Sequence, residues 1–318
     1  MKRLVIARSG ELNPYYNLGF EEYLFDNLNE GDYVLYLWRN EDTVVIGLNQ
    51  NAISECNICK LLEKGGYLAR RKTGGGAVYH DKNNLNFTFI GRKEYNVPAQ
   101  LDIILNAIKS LNIDAVKSGR NDLTLTDGRK FSGNAFLEKG CKALHHGTIL
   151  IDTDSERLKE TLTVSNIKLD SKGVKSVTGR IVNLKSVNPD IDTDSVQQAL
   201  IDSAIDVFKP REVKYISDRS APVEELNKYK DYYSNDKFIY GDRLNYSLAL
   251  EKKFTWGTAR VEYSVKKGYI SGIKLYTDSL DTTVSKVVER ELNGISLDCA
   301  KALSDKASDV YQLIKYGG

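Results

Sequence analysis

The chain has 318 residues, of which 41% are hydrophobic and 28% are charged, a balance typical of a globular protein with one large and one smaller domain. The net charge of +2 gives no argument for nucleic-acid binding, and no apolar run has the length of a membrane span or a signal-peptide core. The four scattered cysteines do not resemble a secreted disulfide framework, so we expect a cytoplasmic protein with neither nucleic acid nor membrane among its partners.

The first half of the chain predicts short strands separated by helices. Strands are predicted where β-branched and aromatic residues cluster, at 2–7, 33–39, 43–47, 67–69, 77–79 and 84–90. The last of these alternates apolar and polar residues, which predicts a strand with one buried face. Helices are predicted at 14–29, 51–64 and 99–111, the first because Asn13 and Pro14 form a typical helix start.

The second half predicts further strands and then a separate tail. Strands are predicted at 123–126, 129–137 and 145–151, helices from Ser155 and at 195–208, and a loop at 168–177. Residues 227–242 are polar with little apolar periodicity, which predicts a linker. We therefore expect a main domain, 1–236, and a small C-terminal domain, 237–318, with a hairpin at 259–276 and helices at 282–291 and 297–307.

Three consecutive glycines, Gly74–Gly76, lie between the strands predicted at 67–69 and 77–79. Successive backbone N–H groups in such a segment form a concave anion site, and glycine lets a ligand approach the backbone closely. This glycine turn lacks the sequence of a Walker loop and is not followed by a helix as in a Rossmann fingerprint. It predicts a phosphate cradle, with a tight hairpin and solvated charges as the alternative.

Lys130 is predicted on a strand between Asp122 and Ser132, where its ammonium group would stabilise charge in phosphoryl or acyl-phosphate transfer. The alternative is a solvated strand lysine. His80, His145 and His146 are the only histidines, and we expect polar groups of a substrate pocket rather than a metal site. Cys56 and Cys59 are predicted on one helix face as buried or idle thiols, with a redox or metal role as the alternative, since the partners of a zinc site are missing.

Several segments together resemble one family. The segments LARRKTGGGAVYHD (68–81), SGRNDL (118–123), GRKFSG (128–133) and HHGT (145–148) resemble the signature of bacterial lipoate–protein ligase A. LWRN (37–40) with TVVIG (43–47) is similar too, and FTWG (254–257) resembles the start of the family's C-terminal domain. The resemblance extends over nearly the whole chain in the family's order.

The resemblance implies an α+β catalytic domain shared with biotin ligases, with mixed and antiparallel sheets and flanking helices, plus a small α+β C-terminal domain. It also implies a two-step reaction. Lipoate and Mg²⁺-ATP give lipoyl-AMP, and a lysine of an acceptor then takes the lipoyl group. The implied acceptors are lipoyl domains of 2-oxoacid dehydrogenase E2 subunits or the glycine-cleavage H protein.

The site residues implied by the resemblance fall into groups. Lys130 is the catalytic residue, and Asp122 is the candidate for Mg²⁺. The nucleotide-binding residues are Arg71, Gly76, Ala77, Val78, Tyr79 and Lys130. The lipoate-binding residues are Lys130, Arg70, Lys72, Gly74, Gly75, His80, His146 and Gly147. Leu137 departs from the family, which often has an arginine at this position, and any contact of that arginine is in question here.

Two alternatives stay open. An octanoyl or lipoyl transferase of the same fold uses a cysteine upstream of the Gly-Arg-Lys motif and no ATP, but residues 113–126 contain no cysteine. A non-catalytic ligand-binding relative would be expected to lose the glycine turn or Lys130, and both are present. The C-terminal domain lacks a nucleophile or phosphate motif, so we expect it to act as a mobile cover over the adenylation pocket.

Overall fold

A computed structural model describes residues 3–92, 96–119, 121–163, 180–241, 246–266, 268–297 and 302–316. The predicted loop at 168–177 lies outside these residues. In chain order the strands are β1 (Arg3–Arg8), β2 (Asp32–Trp38), β3 (Thr43–Ile46), β4 (Tyr67–Arg70), β5 (Val78–His80), β6 (Asn84–Arg92), β7 (Ala115–Ser118), β8 (Asp122–Leu125), β9 (Lys130–Lys139), β10 (Lys142–Leu150), β11 (Glu212–Ser217), β12 (Leu248–Phe254), β13 (Gly257–Lys266) and β14 (Tyr269–Thr277).

Helices flank these strands in both parts of the chain. In chain order they are α1 (Pro14–Asp26), α2 (Ala52–Glu55), α3 (Ile58–Glu63), α4 (Val97–Ser110), α5 (Ser155–Thr161), α6 (Thr193–Phe208), α7 (Val223–Ser234), α8 (Asp236–Tyr240), α9 (Val284–Leu292) and α10 (Asp305–Tyr316). The α1 helix begins as its sequence predicts, because the Asn13 side chain accepts hydrogen bonds from the first-turn N–H groups and Pro14 follows it.

An eight-stranded mixed sheet forms the centre of the fold, in the order β11-β1-β2-β6-β10-β9-β8-β7. Strand β1 is parallel to both its neighbours, and the other neighbouring pairs are antiparallel. Apolar residues of α4 and α6 cover one face, and those of α1 and α7 cover the other. The prediction that β6 has one buried face is therefore wrong, because helices cover both faces of the sheet and nearly every β6 residue is buried.

The glycine turn does not form a hairpin. Strands β4 and β5 both pair with β3, the first in parallel and the second antiparallel, so that β3 lies between them. The glycine turn therefore crosses from one edge of this three-stranded sheet to the other. The crossing places its backbone at one end of β3 and leaves room for a ligand beside it.

Two local predictions fail for physical reasons that the structure shows. Residues 51–64 form two short helices because Cys56 has extended backbone and the Asn57 side chain caps α3, so Cys56 and Cys59 do not share one helix face. Residues 227–240 are helical rather than a linker. Leu226, Tyr233 and Ile239, the buried residues of α7 and α8, pack on the main body. Intervening Lys and Asp residues obscure this helical spacing in the sequence.

The C-terminal region is a three-stranded antiparallel sheet, β12-β13-β14, covered by α9 and α10 around its own apolar core. The predicted hairpin and first helix are confirmed. The second helix was predicted at 297–307, but among the described residues the helix runs over Asp305–Tyr316. Strand β12 was not predicted, because its sequence LALEKKF contains the charged run EKK and shows little alternation of apolar and polar residues. The division at residue 236 stays a prediction.

Candidate active site

Two adjoining cavities lie beside the glycine turn, one of about 430 Å³ and one of about 110 Å³. Both are lined by Gly75, Gly76, Ala77, Val78, Asn121, Lys130 and Thr148. The larger cavity continues to Asp122 and Arg180 and to residues of the C-terminal sheet. The smaller is lined with apolar side chains such as Leu18, Trp38 and Val45. The arrangement offers a larger compartment with both polar and apolar surface and a smaller, mainly apolar one, and the two meet at Lys130.

Arg71 stabilises the backbone conformation of the glycine turn. Its buried guanidinium donates hydrogen bonds to the carbonyl oxygens of Val45, Gly74 and Gly76, at 3.1, 2.7 and 2.7 Å. Burial lowers the pKa of Arg71 to about 10, so the side chain is still protonated at neutral pH. Gly75 has φ +91°, a backbone conformation that favours glycine. Arg71 therefore fixes the turn through its carbonyl groups.

Lys130 is held at the junction of the cavities by charge. Its Nζ lies 2.7 Å from Asp122 Oδ1, and Arg180 approaches the other carboxylate oxygen at 3.6 Å. Gly133 gives the lysine side chain its space, because a Cβ at that position would lie 2.8 Å from Nζ. The Lys130 side chain is about a quarter exposed, so it is anchored and still open to a ligand. This geometry confirms a strand position that faces the cavities.

A chain of hydrogen bonds links the wall of the smaller cavity to the glycine turn. Trp38 Nε1 donates to Thr88 Oγ1, which donates to Glu21 Oε1 at 2.6 Å. The same carboxylate oxygen lies 2.9 Å from His146 Nδ1, and His146 Nε2 lies 2.7 Å from Thr73 Oγ1. Thr73 precedes the glycines, so Glu21 connects the apolar wall with the turn. Sequence reasoning missed Glu21, because a glutamate inside an apolar helix pattern gives no sign of its partners.

The other two histidines are buried and neutral. Burial, with Arg71 and His146 nearby, lowers the pKa of His80 to about 3. Burial and His146 lower the pKa of His145 to about 3, and its two ring nitrogens lie 2.7 Å from Gln100 Oε1 and Asn134 Oδ1. As expected for adjacent residues on a strand, His145 and His146 point to opposite faces. Three His, Cys, Asp or Glu side chains do not cluster as metal ligands anywhere in the described ranges.

The sequence and the fold were compared with known proteins. Residues 13–205 match the family model described as the lipoyl protein ligase A/B catalytic domain, and residues 243–311 match the bacterial lipoate protein ligase C-terminus. The lipoate-protein ligase A of Bdellovibrio bacteriovorus is 41% identical over 300 residues, covering 92% of this chain and 88% of that protein. This chain belongs to the lipoate–protein ligase A family.

Solved structures agree with this family membership. P. falciparum LipL1 in complex with lipoate has a TM-score of 0.82 and 30% identity, covering 98% of this chain and 99% of that chain. A bipartite lipoate protein ligase from Thermoplasma acidophilum, described together with its E2 lipoyl domain, has a TM-score of 0.65 and 26% identity, covering 77% of this chain and 99% of that one. The α+β fold predicted from the resemblance is confirmed.

Most residues that the resemblance to lipoate–protein ligase A singled out come together at these cavities. Lys130, Gly75, Gly76, Ala77 and Val78 line both. Asp122 and Tyr79 line the larger cavity, and Arg71, His80, His146 and Gly147 line the smaller. The motifs quoted for the lipoate–protein ligase A family, which are scattered over the first half of the chain, thus converge on one place.

Three residues that the resemblance assigned to lipoate do not line either cavity. Arg70 is buried and donates to backbone carbonyls, including those of Gly47 and Ile239, so it joins α8 to the small sheet. Lys72 pairs with Glu22. A Cβ on Gly74 would collide with the carbonyl oxygens of Ser279 and Leu280. This placement favours packing roles for Arg70, Lys72 and Gly74 in this conformation.

The C-terminal sheet reaches the site directly. Gly75 N–H donates to the Ser279 carbonyl at 3.1 Å, and Thr277 N–H donates to the Asn49 carbonyl at 2.9 Å. Lys253, Trp256, Gly257, Asp278 and Leu280 line the larger cavity. Sequence reasoning placed FTWG (254–257) in the family pattern but did not assign these residues to the site, because only tertiary packing brings them there.

Leu137 and the described cysteines lie outside the linings of the two cavities beside the glycine turn. Leu137, at the position where relatives often have arginine, lines a separate cavity of about 40 Å³ beside Lys72 and His146. The described cysteines are Cys56, which is buried with a pKa raised to about 12 by burial, and the exposed Cys59 and Cys141. All three lie outside the linings of the two cavities beside the glycine turn.

Proposed function

We propose that this chain joins lipoate to its acceptor protein in two steps, with the acyl chain in the smaller cavity and the nucleotide in the larger. ATP-dependent lipoate–protein ligation is the activity of the family to which the chain belongs. The observation behind the assignment of steps is that Lys130 lines both cavities. An ammonium group at their junction can contact the lipoate carboxylate and the α-phosphate together.

In the first step a carboxylate oxygen of lipoate forms a bond to the α-phosphorus of ATP, and the bond to pyrophosphate breaks. Two anions must approach each other, so a fixed cation between them lowers the barrier by stabilising the charge that accumulates. Lys130 is suited to this because Asp122 orients it before the substrates bind. The glycine turn and Ala77–Tyr79 would hold the nucleotide, and Arg71 would keep the turn in shape.

Asp122 is the proposed contact for Mg²⁺. In nucleotide sites this ion is typically bound by one or two carboxylates together with substrate phosphates, so one acidic side chain in the larger cavity fits the requirement. Asp122 also contacts Lys130 and Arg180, which accords with a place where phosphate and metal charges meet. When bound, the ion would neutralise part of the phosphate charge.

In the second step the amine of an acceptor lysine forms an amide with the lipoyl carbonyl, and AMP leaves. The lysine ammonium loses one proton to solvent before it attacks and a second after the C–N bond forms, so the product amide has no charge at that nitrogen. Lipoyl domains of E2 subunits are the proposed acceptors, since the similar archaeal ligase was described with its E2 lipoyl domain. The glycine-cleavage H protein is a second proposed acceptor.

No described helix is long and apolar enough to cross a membrane, and we propose a cytoplasmic location.

The alternative of an ATP-independent transferase needs a cysteine nucleophile at the acyl group. The position of all described cysteines outside the two cavities argues against it. The alternative of a non-catalytic relative is disfavoured by the preserved glycine turn and by the anchored Lys130.

Three measurements on one preparation test the proposal. The full chain is incubated with lipoate, Mg²⁺ and ATP, pyrophosphate release is measured, and a lipoyl domain is then added and its mass determined. We expect lipoate-dependent pyrophosphate release and a mass increase on one lysine. Transfer from a supplied lipoyl or octanoyl thioester in the absence of ATP would support the transferase, and lipoate binding without either reaction would support the non-catalytic relative.

A further inference from the structure

Two buried hydrogen-bond donors line the smaller cavity without a partner. His80 and Asn86 are 3% and 1% exposed. Within the part of the chain that the structure describes, His80 Nε2 and Asn86 Nδ2 have no hydrogen-bond partner. An unpaired buried donor destabilises a fold, and most such groups find an acceptor. Two of them around one ligand cavity indicate that the ligand supplies the acceptor.

A chain of hydrogen-bonded side-chain amides determines which ring nitrogen of His80 carries the proton. Asn17 Nδ2 donates to the carbonyl oxygens of Glu11 and Arg39, and this fixes the orientation of its amide. The same Nδ2 shares one of its two hydrogens with Asn40 Oδ1 at 3.1 Å, so Asn40 Nδ2 is the atom that lies 3.1 Å from His80 Nδ1. His80 Nδ1 therefore accepts, and in a neutral ring the proton is on Nε2. The unpartnered Nε2 is thus a donor.

Asn86 presents its donor on the same wall. Asn84 Nδ2 donates to Asn86 Oδ1 at 2.9 Å, and in this orientation of the two amides both Asn86 Nδ2 and Asn84 Oδ1 are without a partner. Asn86 is opposite Trp38 in the β2–β6 pairing, and the Trp38 ring lies 6.2 Å from the His80 ring in an edge-to-face arrangement. Both donors thus flank Trp38, in a wall that is otherwise largely apolar. Unlike Lys130, none of these three residues lines the larger cavity.

We propose that His80 and Asn86 make the enzyme selective for an acyl chain that bears sulfur at its far end over a plain alkyl chain. The inference rests on the proposed function, in which the acyl chain extends from Lys130 into the smaller cavity. The sulfurs of a dithiolane ring are weak acceptors for the two N–H groups. The methyl end of octanoate accepts no hydrogen bond and leaves both donors buried and unpaired.

The physical basis of this selectivity is that a pocket with polar groups discriminates between ligands more strongly than an apolar pocket does. An apolar pocket discriminates weakly between chains of similar size, but a pocket that hydrogen-bonds its substrate rejects an analogue that lacks the partner. Because sulfur is a weak acceptor, the expected effect is smaller than for a hydroxyl. We expect each donor to contribute about fivefold to tenfold to the selectivity.

The experiment compares kcat/KM for pyrophosphate release with lipoate and with octanoate. The variants are His80→Phe, which keeps a ring, and Asn86→Leu, which keeps the size of the side chain. The wild type should prefer lipoate at least tenfold, and each variant should lose about fivefold to tenfold of that preference. Tyr311→Phe is the control, since it removes a buried hydroxyl that donates to the Ser296 and Leu297 carbonyls away from both cavities. Its preference should equal that of the wild type.

The outcomes separate selectivity from a structural role. Equal efficiency with the two acids in the wild type would overturn the selectivity, and this test needs no variant to fold. Folded His80 and Asn86 variants that lose activity equally with both acids would overturn it too, since the two residues would then only support the wall. Absence of pyrophosphate release with either acid would instead overturn the proposed function itself.

Discussion

The two cavities of the site are built from different parts of the chain. All residues that line the smaller cavity lie between Leu18 and Thr148, and His146 in its wall is held by buried hydrogen bonds to Thr73 and Glu21. The larger cavity also includes Lys253, Trp256 and Leu280 from the C-terminal region. The smaller cavity, which we propose holds the acyl chain, is therefore complete within the main body, whereas the larger cavity, which we propose holds the nucleotide, depends on two regions that pack together.

This difference predicts which of the two substrates the C-terminal region influences. If acid binding and nucleotide binding are built separately, changes to the C-terminal region should affect the use of ATP and leave acid binding nearly unchanged. Changes at Lys130, where the cavities meet, should affect the reaction between the two substrates most strongly. Four predictions test this division.

Lys130→Ala has the largest expected effect. Loss of one fixed cation at the reacting atoms typically costs on the order of 3 kcal/mol of transition-state stabilisation, so pyrophosphate release should fall at least about a hundredfold. Stability should change little, because the ammonium is partly exposed and its carboxylate partner keeps Arg180. Pyrophosphate release and thermal unfolding are measured together. Normal release from the variant would show that Lys130 is not catalytic.

Truncation after Gly241 should impair adenylation more than tenfold, because the larger cavity loses one wall and admits water. Lipoate binding measured by calorimetry should persist, and transfer from supplied lipoyl-AMP should remain. This cut keeps α8, whose backbone carbonyls bind Arg70. Circular dichroism checks folding, and Trp256→Ala in the full chain should show the same pattern more weakly.

Two results would contradict the separate roles. A folded truncation that adenylates at the full rate would make the cover unnecessary and favour a docking role for the C-terminal region. A folded truncation that also loses transfer from supplied lipoyl-AMP would place this region in the catalytic core.

Mild acid should lower the free energy of unfolding of this protein. The pKa values of His80 and His145 are lowered to about 3 by burial, against an ordinary value of about 6.5. The unfolded chain therefore binds more protons, and stability is lost as the pH falls from about 6.5 towards 3. Between about pH 7 and pH 5.5 the free energy of unfolding should fall by about 2 kcal/mol, as measured by urea titration. His80→Phe should show about half of this loss, and a wild type with constant stability over this range would contradict the neutral, buried state.

Gly75→Val should weaken ATP binding about tenfold, the smallest of the four effects, because a β-branched residue is strained at φ +91° and its side chain would approach the phosphate space. Its Cβ would also lie 3.0 Å from Arg71 Nη2, which supports the turn. Gly140→Val is the matched control, since Gly140 has φ +61° in the exposed β9–β10 turn outside both cavities. Both variants should lose stability, but only Gly75→Val should lose ATP affinity by calorimetry. Unchanged affinity in folded Gly75→Val would exclude the cradle.

Much of the local structure was predictable because it depends on neighbouring residues. The start of α1 at Asn13-Pro14 and the Asp127-Gly128 turn between β8 and β9 follow from capping and turn preferences within a few residues. Strands β7 and β11 were missed because they are short edge strands with few buried residues, so periodicity had nothing to detect.

The motifs of the candidate site could be predicted from the sequence, but most of the residues that form its walls could not. The glycine turn and Lys130 stand out in the sequence because glycine triplets and a lysine among polar strand residues are chemically unusual. Glu21 and Leu280 do not stand out, since each is an ordinary residue whose role depends on distant partners. The same holds for Arg70, whose charge suggested a ligand contact but whose guanidinium binds carbonyls of α8.

The sequence by itself determined the family, most of the element types and the residues at the junction of the two cavities, because these depend on motifs and short-range preferences. Only the tertiary structure decided that the glycine turn crosses β3 instead of forming a hairpin, that residues 227–240 pack as helices, and that the C-terminal sheet completes the larger cavity. The physical reason is that strand pairing and burial are set by contacts between residues far apart in the chain. A local pattern shows which face of an element is apolar, but the surface that covers that face belongs to another part of the molecule.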